Sequence, residues 1–311
     1  MAAYAALTFL SLLWGSSFLL IKIASRAFDP FSFALARVGV AALAMLAASL
    51  ATRQKWPGWR PGLWATLATL ALIGQVIPFL LLGLAADRTT SSDMALMMGA
   101  APIFVFLVGR FLGSGERWTL LGAIGLTVGL AGVGLALWAP GAHAAAADAP
   151  DPAMGRAFAL AATFCYAMGA IVSARATREI GATRSVTASM TISALSLALI
   201  GPAVGARGLT ATLAAAPASS LLAMAALGVF NTGLAYYVYF RLVAEEGPTF
   251  ASLNNYVVPV IGVVGGAIAL GDPIGISAWG GLGLVLAGVA LTGKSLRRRE
   301  TPQTPSAREA A

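Results

Sequence analysis

Long uncharged stretches alternate with short charged segments along the whole chain. Reading from one charged residue to the next gives ten such stretches, at residues 1–21, 38–52, 61–86, 94–109, 118–147, 157–174, 185–206, 208–240, 247–271 and 273–293. A helix that crosses a hydrocarbon core needs about 20 mainly apolar residues. Most of the stretches reach that length, and the two shortest, 38–52 and 94–109, reach it by including flanking residues. The pattern predicts an all-α membrane protein with ten transmembrane helices.

The composition excludes a soluble domain of ordinary type. Of the 311 residues, 59% are hydrophobic and 10% are charged, whereas an average soluble domain carries about 25% charged residues. The net charge of +8 does not indicate a nucleic-acid partner, because the basic residues are spread over the loops. The densest basic cluster, Arg297 to Arg299, directly follows the last stretch, where we expect it to contact anionic membrane lipid.

The distribution of basic residues predicts the orientation in the membrane. With a cytoplasmic N-terminus, the inside loops and tail hold fourteen Lys and Arg residues and the outside loops hold five. Cytoplasmic loops are enriched in Lys and Arg, so both termini are predicted to be cytoplasmic. The stretch 139–155, rich in Ala, Pro and Asp, is predicted to be an exposed linker, and residues 294–311 are predicted to form a basic cytoplasmic tail.

The two groups of five stretches, 1–138 and 156–293, resemble each other at an offset of 156 residues. LAGVGLAL at 130–137 corresponds to LAGVALTG at 286–293. Further pairs fall at this offset or one residue from it: Gly125 with Gly281, Glu116 with Asp272, and Pro102 with Pro259. An odd number of spans in each copy predicts two inverted five-helix repeats, the architecture of secondary transporters with a midplane site. Chance similarity among glycine- and leucine-rich helices is the alternative.

The first helix carries a motif that resembles a known family. Trp14-Gly15-Ser16-Ser17-Phe18, followed by Lys22, is similar to the opening motif of the EamA-type carriers in the drug/metabolite transporter superfamily. The glycine-rich closing helix of each half, preceded by an acidic residue, also resembles that family. The resemblance implies a ten-helix exporter of small metabolites in the bacterial inner membrane. Within the family, the chain is most similar to the YddG-type exporters of aromatic and other neutral amino acids, although Asp272 and Tyr166 replace the usual Glu and Trp.

Prolines and amides inside the stretches are candidate site residues. Pro78, Pro102 and Pro259 are predicted to lie within helices and to free the backbone carbonyls of Gly74, Met98 and Asn255. In lipid, such groups are most easily satisfied where they face other helices or a wet cavity. The mid-stretch amides are Gln75, Asn231, Asn254 and Asn255, of which the first two are separated by the repeat offset. For the prolines, the alternative is a kink that only shapes helix packing. For the amides, the alternative is a hydrogen bond between helices.

Aromatic and sulfur-containing side chains are predicted to complete the cavity. Trp14 and Tyr166 occupy similar places early in each half, and Met94, Met97 and Met98 lie in the fourth stretch. Methionine surfaces adapt to varied ligands, although ordinary helix packing explains the same residues. A second aromatic group, Tyr236, Tyr237 and Tyr239, is predicted to lie at the membrane interface.

Charge is almost absent from the predicted spans. No Asp or Glu falls within the ten stretches, so a carboxylate proton relay or sodium site has no obvious members. This leaves facilitated export, or coupling through an unrecognised group. Arg37 is the one basic residue well inside a span, and we interpret it as a paired or snorkelling structural residue. The glycines of the fifth and tenth stretches predict close helix contact in a supporting scaffold.

The predicted function is export of small neutral or aromatic amino acids by alternating access, without a cofactor. The substrate-binding residues are predicted to be Trp14, Ser17, Gln75, Pro78, Met98, Pro102, Tyr166, Asn231, Asn254, Asn255 and Pro259. Export of a nucleobase, sugar phosphate or cationic drug is the alternative within the superfamily. An intramembrane enzyme is remote, because the single His143 lies in a loop and the spans hold no acid. The oligomeric state is open, and a monomer is compatible with the sequence.

Overall fold

A computed structural model describes residues 2–24, 26–86, 88–89, 94, 97–112, 119–137, 151–203, 208–258, 260–261 and 276–297. Several sequence predictions therefore lie outside the described residues. These are the predictions for Pro259 and Asp272, for most of the linker, and for the cytoplasmic tail beyond residue 297.

Within the described residues, a helix lies in each of the ten predicted stretches. In chain order they are α1 (Ala2–Ala24), α2 (Pro30–Ala51), α3 (61–86), α4 (Ala101–Leu112), α5 (Leu120–Leu137), α6 (Pro152–Ile180), α7 (Ala182–Ala203), α8 (Ala218–Glu246), α9 (248–258, with a turn at Leu253) and α10 (Ile276–Arg297). A further short helix, Leu209–Ala215, precedes α8. A continuous core of buried apolar side chains runs through the bundle, from Leu7 in α1 to Val289 in α10.

Among the described residues, six helices are long and apolar enough to cross a membrane: α2, α3, α6, α7, α8 and α10. Shorter apolar helical segments, Ala2–Ser17 and Leu120–Leu135, belong to α1 and α5. The chain is therefore an all-helical, multi-pass membrane protein. The total of ten spans stays a prediction.

Capping residues place two helix starts earlier than the charge pattern predicted. The carboxylate of Asp29 accepts hydrogen bonds from the backbone N–H groups of Phe31 and Ser32, each at 3.1 Å, and Pro30 opens α2. Burial raises the pKa of the Asp29 carboxyl, but these bonds and one from the Ser32 side chain hold it below its usual value. Helix α2 thus begins eight residues before the predicted stretch and includes Arg37.

The first helix of the second half is also longer than predicted. Asp151 accepts a hydrogen bond from the Met154 N–H at 3.1 Å, and Pro152 follows it as the first residue of α6. The predicted linker 139–155 was therefore wrong at its C-terminal end, because an aspartate followed by proline is a helix start rather than loop.

Helix interruptions recur at the repeat offset. The π-helical turn Leu72–Val76 lies in α3, and the π-helical segment Leu227–Leu234 lies in α8 and includes the residues 156 positions later. The Ala100 N–H bonds the Met97 carbonyl at 3.1 Å, and the Tyr256 N–H bonds the Leu253 carbonyl at 3.0 Å, again 156 positions later. Tight and wide turns inside helices are often found at hinges and functional sites. The two halves therefore share four irregularities in matching pairs.

The prolines relate to these interruptions differently from the prediction. Pro102 is the second residue of α4, directly after a turn at Gly99–Ala100. The prediction that Pro102 lies in the middle of a helix was wrong. The backbone nitrogen of a first-turn residue has no acceptor within the helix, so a proline at this position removes no helical hydrogen bond. Pro78 follows the π-helical turn of α3, as the prediction of an interruption there requires, but the matching position in α8 is Leu234. Proline is thus not required for the wide turn.

Helices α5 and α10 pack closely through glycines. A Cβ atom added to Gly132 would lie 2.6 Å from the Val285 backbone nitrogen and 2.8 Å from the Gly281 carbonyl oxygen. A Cβ atom added to Gly125 or to Gly288 would also lie very close to a backbone nitrogen of the facing helix, at 2.7 Å and 2.5 Å respectively. The predicted close contact of these two helices is confirmed, and small residues are what permits it.

We expect Gly132→Ala to destabilise the bundle, whereas Gly134→Ala in the same helix should not. The added methyl at position 132 meets fixed backbone, while nothing lies within 4 Å of the corresponding point at position 134. Overpacking of this kind costs about 1–3 kcal/mol. Thermal unfolding of both variants in detergent tests this, and equal melting temperatures would contradict the packing.

Candidate substrate site between the helix centres

Five helices, α1, α2, α3, α6 and α8, meet around a group of polar and aromatic side chains. Tyr166 is the central residue of α6, and Thr232 is the central residue of α8. Trp14 lies one residue from the centre of α1. In a helix that crosses the bilayer, a central residue is expected near the midplane, so we expect this group at that depth.

Aromatic rings from four helices form a connected network, which we call the midplane aromatic cluster: Trp14, Phe79, Tyr166, Tyr236 and Tyr239. The Trp14 ring centroid lies 5.7 Å from that of Tyr236 and 5.5 Å from that of Tyr239. Phe79 lies 6.3 Å from Tyr166 and 6.4 Å from Tyr236, both edge to face. Such geometries are favourable for aromatic pairs. The cluster joins α1, α3, α6 and α8.

The guanidinium group of Arg37 lies beside this cluster. Arg37 Nε donates a hydrogen bond to Thr232 Oγ1 at 2.8 Å, and its Cζ lies 5.0 Å from the Phe79 ring centroid. The hydroxyl groups of Tyr166 and Tyr236 lie close to the guanidinium and to each other. Over the part of the chain that the structure describes, no carboxylate pairs with Arg37.

The interpretation of Arg37 as a snorkelling residue was wrong, whereas its interpretation as a residue paired across helices stays open. Its hydrogen bond to Thr232 places the charge beside the centre of α8, so the side chain does not reach an interface. Ionisable groups at such depth are expensive and are commonly functional. The two terminal nitrogens of Arg37 have no hydrogen-bond acceptor within the described ranges, and the residue is half-buried.

Trp14 and Asn231 join α1 to the π-helical segment of α8. The Trp14 indole N–H donates to the Asn231 carbonyl oxygen at 3.0 Å. The Asn231 amide donates to the Leu13 carbonyl oxygen and, at 3.3 Å, to Ser16 Oγ. These contacts hold Trp14 at the edge of the midplane aromatic cluster. Trp14, Tyr166 and Asn231 are thus three predicted site residues that the fold brings to one place.

Gln75 occupies the position in α3 that matches Asn231, but it bonds to a different helix, α7. It is fully buried, its Nε2 donates to Ser189 Oγ at 2.9 Å, and its Oε1 accepts from Ser193 Oγ at 2.7 Å. Both ends of the amide are therefore bonded to α7. This favours the interhelical alternative for Gln75, and its role in substrate binding stays a prediction.

The remaining predicted site residues lie elsewhere in the bundle. Ser17 Oγ donates to the Trp14 carbonyl of its own helix at 2.6 Å. Asn255 Nδ2 donates to the Ser252 carbonyl at 3.1 Å. Asn254 is fully buried, and its Nδ2 has no partner in the described ranges. Met98 is half-buried just before the turn that precedes α4. The structure thus leaves the role of these residues open.

Five members of the group were not predicted as site residues: Arg37, Phe79, Thr232, Tyr236 and Tyr239. The prediction of Tyr236 and Tyr239 as interfacial was wrong, since both are buried against Trp14. It rested on their closeness to Arg241, but α8 continues to Glu246 and leaves them inside. Arg37 was recognisable in the sequence as a charge within a span. The start of α2 at Pro30, which places Arg37 inside the helix, was the signal that the prediction did not use.

Comparison with known proteins identifies the class of protein. The model of the EamA-like transporter family matches residues 1–138 and 153–294. An uncharacterized inner membrane transporter, YedA of Escherichia coli K12, is 26% identical over 292 residues, which are 93% of this chain and 89% of that protein. The uncharacterized transporter YdfC of Bacillus subtilis is 23% identical over 281 residues, 90% of this chain and 87% of YdfC. The chain is a membrane transporter and not an enzyme.

The chain belongs to the EamA-like transporter family. A solved crystal structure shares its fold, with a TM-score of 0.73 at 20% identity over 96% of this chain and 99% of the other. The family resemblance of the first-helix motif is thereby confirmed, whereas the closer similarity to YddG-type exporters stays a prediction.

We expect Gln75→Leu to lower the melting temperature without changing the KM for transport. The substitution removes two interhelical hydrogen bonds, which together are worth about 1–2 kcal/mol in a membrane bundle. Gln54→Leu, at an exposed position after α2, is the matched control and should leave both quantities unchanged. A raised KM with an unchanged melting temperature would instead assign Gln75 to the substrate path.

Proposed function

We propose that this transporter exports small neutral or aromatic amino acids and related metabolites across the bacterial inner membrane by alternating access. The observation that carries the proposal is the midplane aromatic cluster, which offers ring faces and edges at the depth where secondary transporters bind substrate. An apolar or aromatic amino-acid side chain matches such a surface in size and polarity.

The proposed architecture is ten spans in two inverted repeats, 1–138 and 156–293, with an exposed linker between them and both termini cytoplasmic. Helix packing supports it. Helix α2 packs on α7, and α5 packs on α10, so that equivalent helices of the two halves meet. Helices α3 and α6 approach closely at Gly74 and Gly169, and α8 meets α1 at Asn231 and Leu13, close to the repeat offset.

The interruptions support alternating access. Both π-helical turns lie where a helix of one half crosses the first helix of the other half. Each turn carries a side-chain amide that bonds to a helix of the other half: Gln75 bonds to α7, and Asn231 bonds to α1. Helices that change curvature at such turns allow one half to move against the other around a fixed site.

Within the superfamily, the site disfavours one alternative substrate class. A cationic drug at the midplane would face the Arg37 guanidinium, and no carboxylate pairs with that group in the described ranges. Like charges in a poorly solvated site repel strongly. A neutral or zwitterionic amino acid avoids this repulsion.

Purified protein in liposomes should move radiolabelled aromatic and neutral amino acids down an imposed gradient. Repeating the assay with pH or sodium gradients tests coupling, for which the described spans show no acidic group near the site. Absence of flux for every amino acid tested, with folded protein in the membrane, would overturn the proposal.

We expect Trp14→Ala to raise the KM for phenylalanine by about tenfold or more, since it removes a large ring and an indole hydrogen bond that orders α8. Trp279→Ala is the matched control, because that side chain is 53% exposed on α10. Flux of labelled phenylalanine measures both variants. Equal effects of the two substitutions would remove Trp14 from the substrate path.

A further inference from the structure

We propose that the Arg37 guanidinium binds the carboxylate of the transported substrate, which makes carboxylate-bearing small molecules the substrate class of this transporter. The inference rests on the proposed transport through the midplane site and adds the group that selects the substrate there. It follows from the geometry, the unfilled hydrogen-bonding capacity and the charge of Arg37.

The guanidinium is held in place but is not saturated. Its Nε is bonded to Thr232, and Phe79 lies against it at 5.0 Å from Cζ to the ring centroid. An arginine side chain has five N–H donors in one plane. The four donors on the two terminal nitrogens have no acceptor in the described part of the chain, and the residue is half-buried.

The free edge of Arg37 has the geometry that a carboxylate requires. Two terminal nitrogens in a plane can donate parallel hydrogen bonds to the two oxygens of one carboxylate. Thr232 and Phe79 fix the opposite part of the group and one of its faces. The orientation needed for bidentate binding is therefore present before substrate arrives, which reduces the entropy lost on binding.

Charge balance points to an anionic group with a single charge. A guanidinium in a membrane interior is unfavourable without a counter-charge, and the neighbours of Arg37 are an alcohol, phenols and a phenyl ring. One carboxylate neutralises it. A doubly charged phosphate would leave an unbalanced negative charge at the same place. The ammonium group of an amino acid can lie over the faces of the surrounding rings, which attract cations.

The alternative is that Arg37 only ties α2 to α8. Thr232→Val separates the two roles, because it removes the Nε hydrogen bond and leaves the charge and the free edge in place. We expect Thr232→Val to weaken substrate binding only slightly, whereas Arg37→Gln should weaken it much more.

The test compares three probes in proteoliposomes: phenylalanine, phenylalaninamide, which lacks the carboxylate, and 3-phenylpropionate, which lacks the ammonium group. In the unmodified protein, phenylalanine and phenylpropionate should compete for one site and the amide should not. Arg37→Gln should raise the KM for phenylalanine by about tenfold or more, since hydrogen bonds to charged groups are strong. Arg37→Lys should recover part of the loss. Arg241→Gln, an exposed residue bonded to Glu245, is the matched control.

The outcomes separate this inference from the proposed function. Transport of phenylalanine with an unchanged KM in Arg37→Gln would overturn the inference and leave amino-acid export standing. An increase in melting temperature with phenylpropionate that is lost in Arg37→Gln, together with no amino-acid flux, would support the inference and overturn the proposed substrate. A loss in Thr232→Val as large as that in Arg37→Gln would assign Arg37 to the structural tie.

A measurement on the unmodified protein covers the case in which Arg37→Gln does not fold. Phenylalanine and phenylpropionate should raise its melting temperature in detergent, and phenylalaninamide should not. Equal stabilisation by the amide would overturn the inference.

Discussion

Every backbone N–H and C=O group in a hydrocarbon environment must be hydrogen-bonded within the protein, and the architecture of this chain depends on that constraint. It confines the described spans to helices and permits irregular turns only where other helices supply partners. The two π-helical turns obey it at helix crossings, since the Ser193 hydroxyl bonds the Ala71 carbonyl beside the first turn and the Trp14 indole bonds the Asn231 carbonyl within the second. The same crossings bring α1, α3, α6 and α8 together near the midplane, so the backbone constraint also positions the candidate site.

At that site, one positive charge and five aromatic rings replace the acidic residues on which many coupled transporters depend. The Arg37 guanidinium is tolerated because Thr232 bonds its Nε and Phe79 lies against it. Its remaining donors make the site polar in one direction and apolar in the others. An amphipathic small molecule with one negative group fits this asymmetry, whereas a cation does not. The transport function proposed for this protein therefore rests on how one guanidinium group and five aromatic rings are arranged.

Charge spacing predicted the helices well because ionised side chains are excluded from lipid, so each uncharged stretch contains a helix. It predicted helix ends poorly. The uncharged stretch 38–52 begins after Arg37, but Asp29 and Pro30 start α2 eight residues earlier, because capping of backbone N–H groups outweighs one charge that the interior can accommodate. The same reasoning misplaced Tyr236, because the uncharged stretch ends before Arg241 whereas α8 continues to Glu246. The fold brings Trp14, Tyr166 and Asn231 together, and their role in substrate binding stays a prediction.

The sequence alone determined the solvent, the helical class, the family and the offset that relates the two halves. Those properties depend on local composition and on spacing, which are readable along the chain. Only the tertiary structure decided that Arg37 faces Thr232 and Phe79, that Gln75 bonds Ser189 and Ser193, and that Tyr236 and Tyr239 lie inside. These contacts join residues more than forty positions apart, and which face of each helix meets another depends on the packing of all of them together.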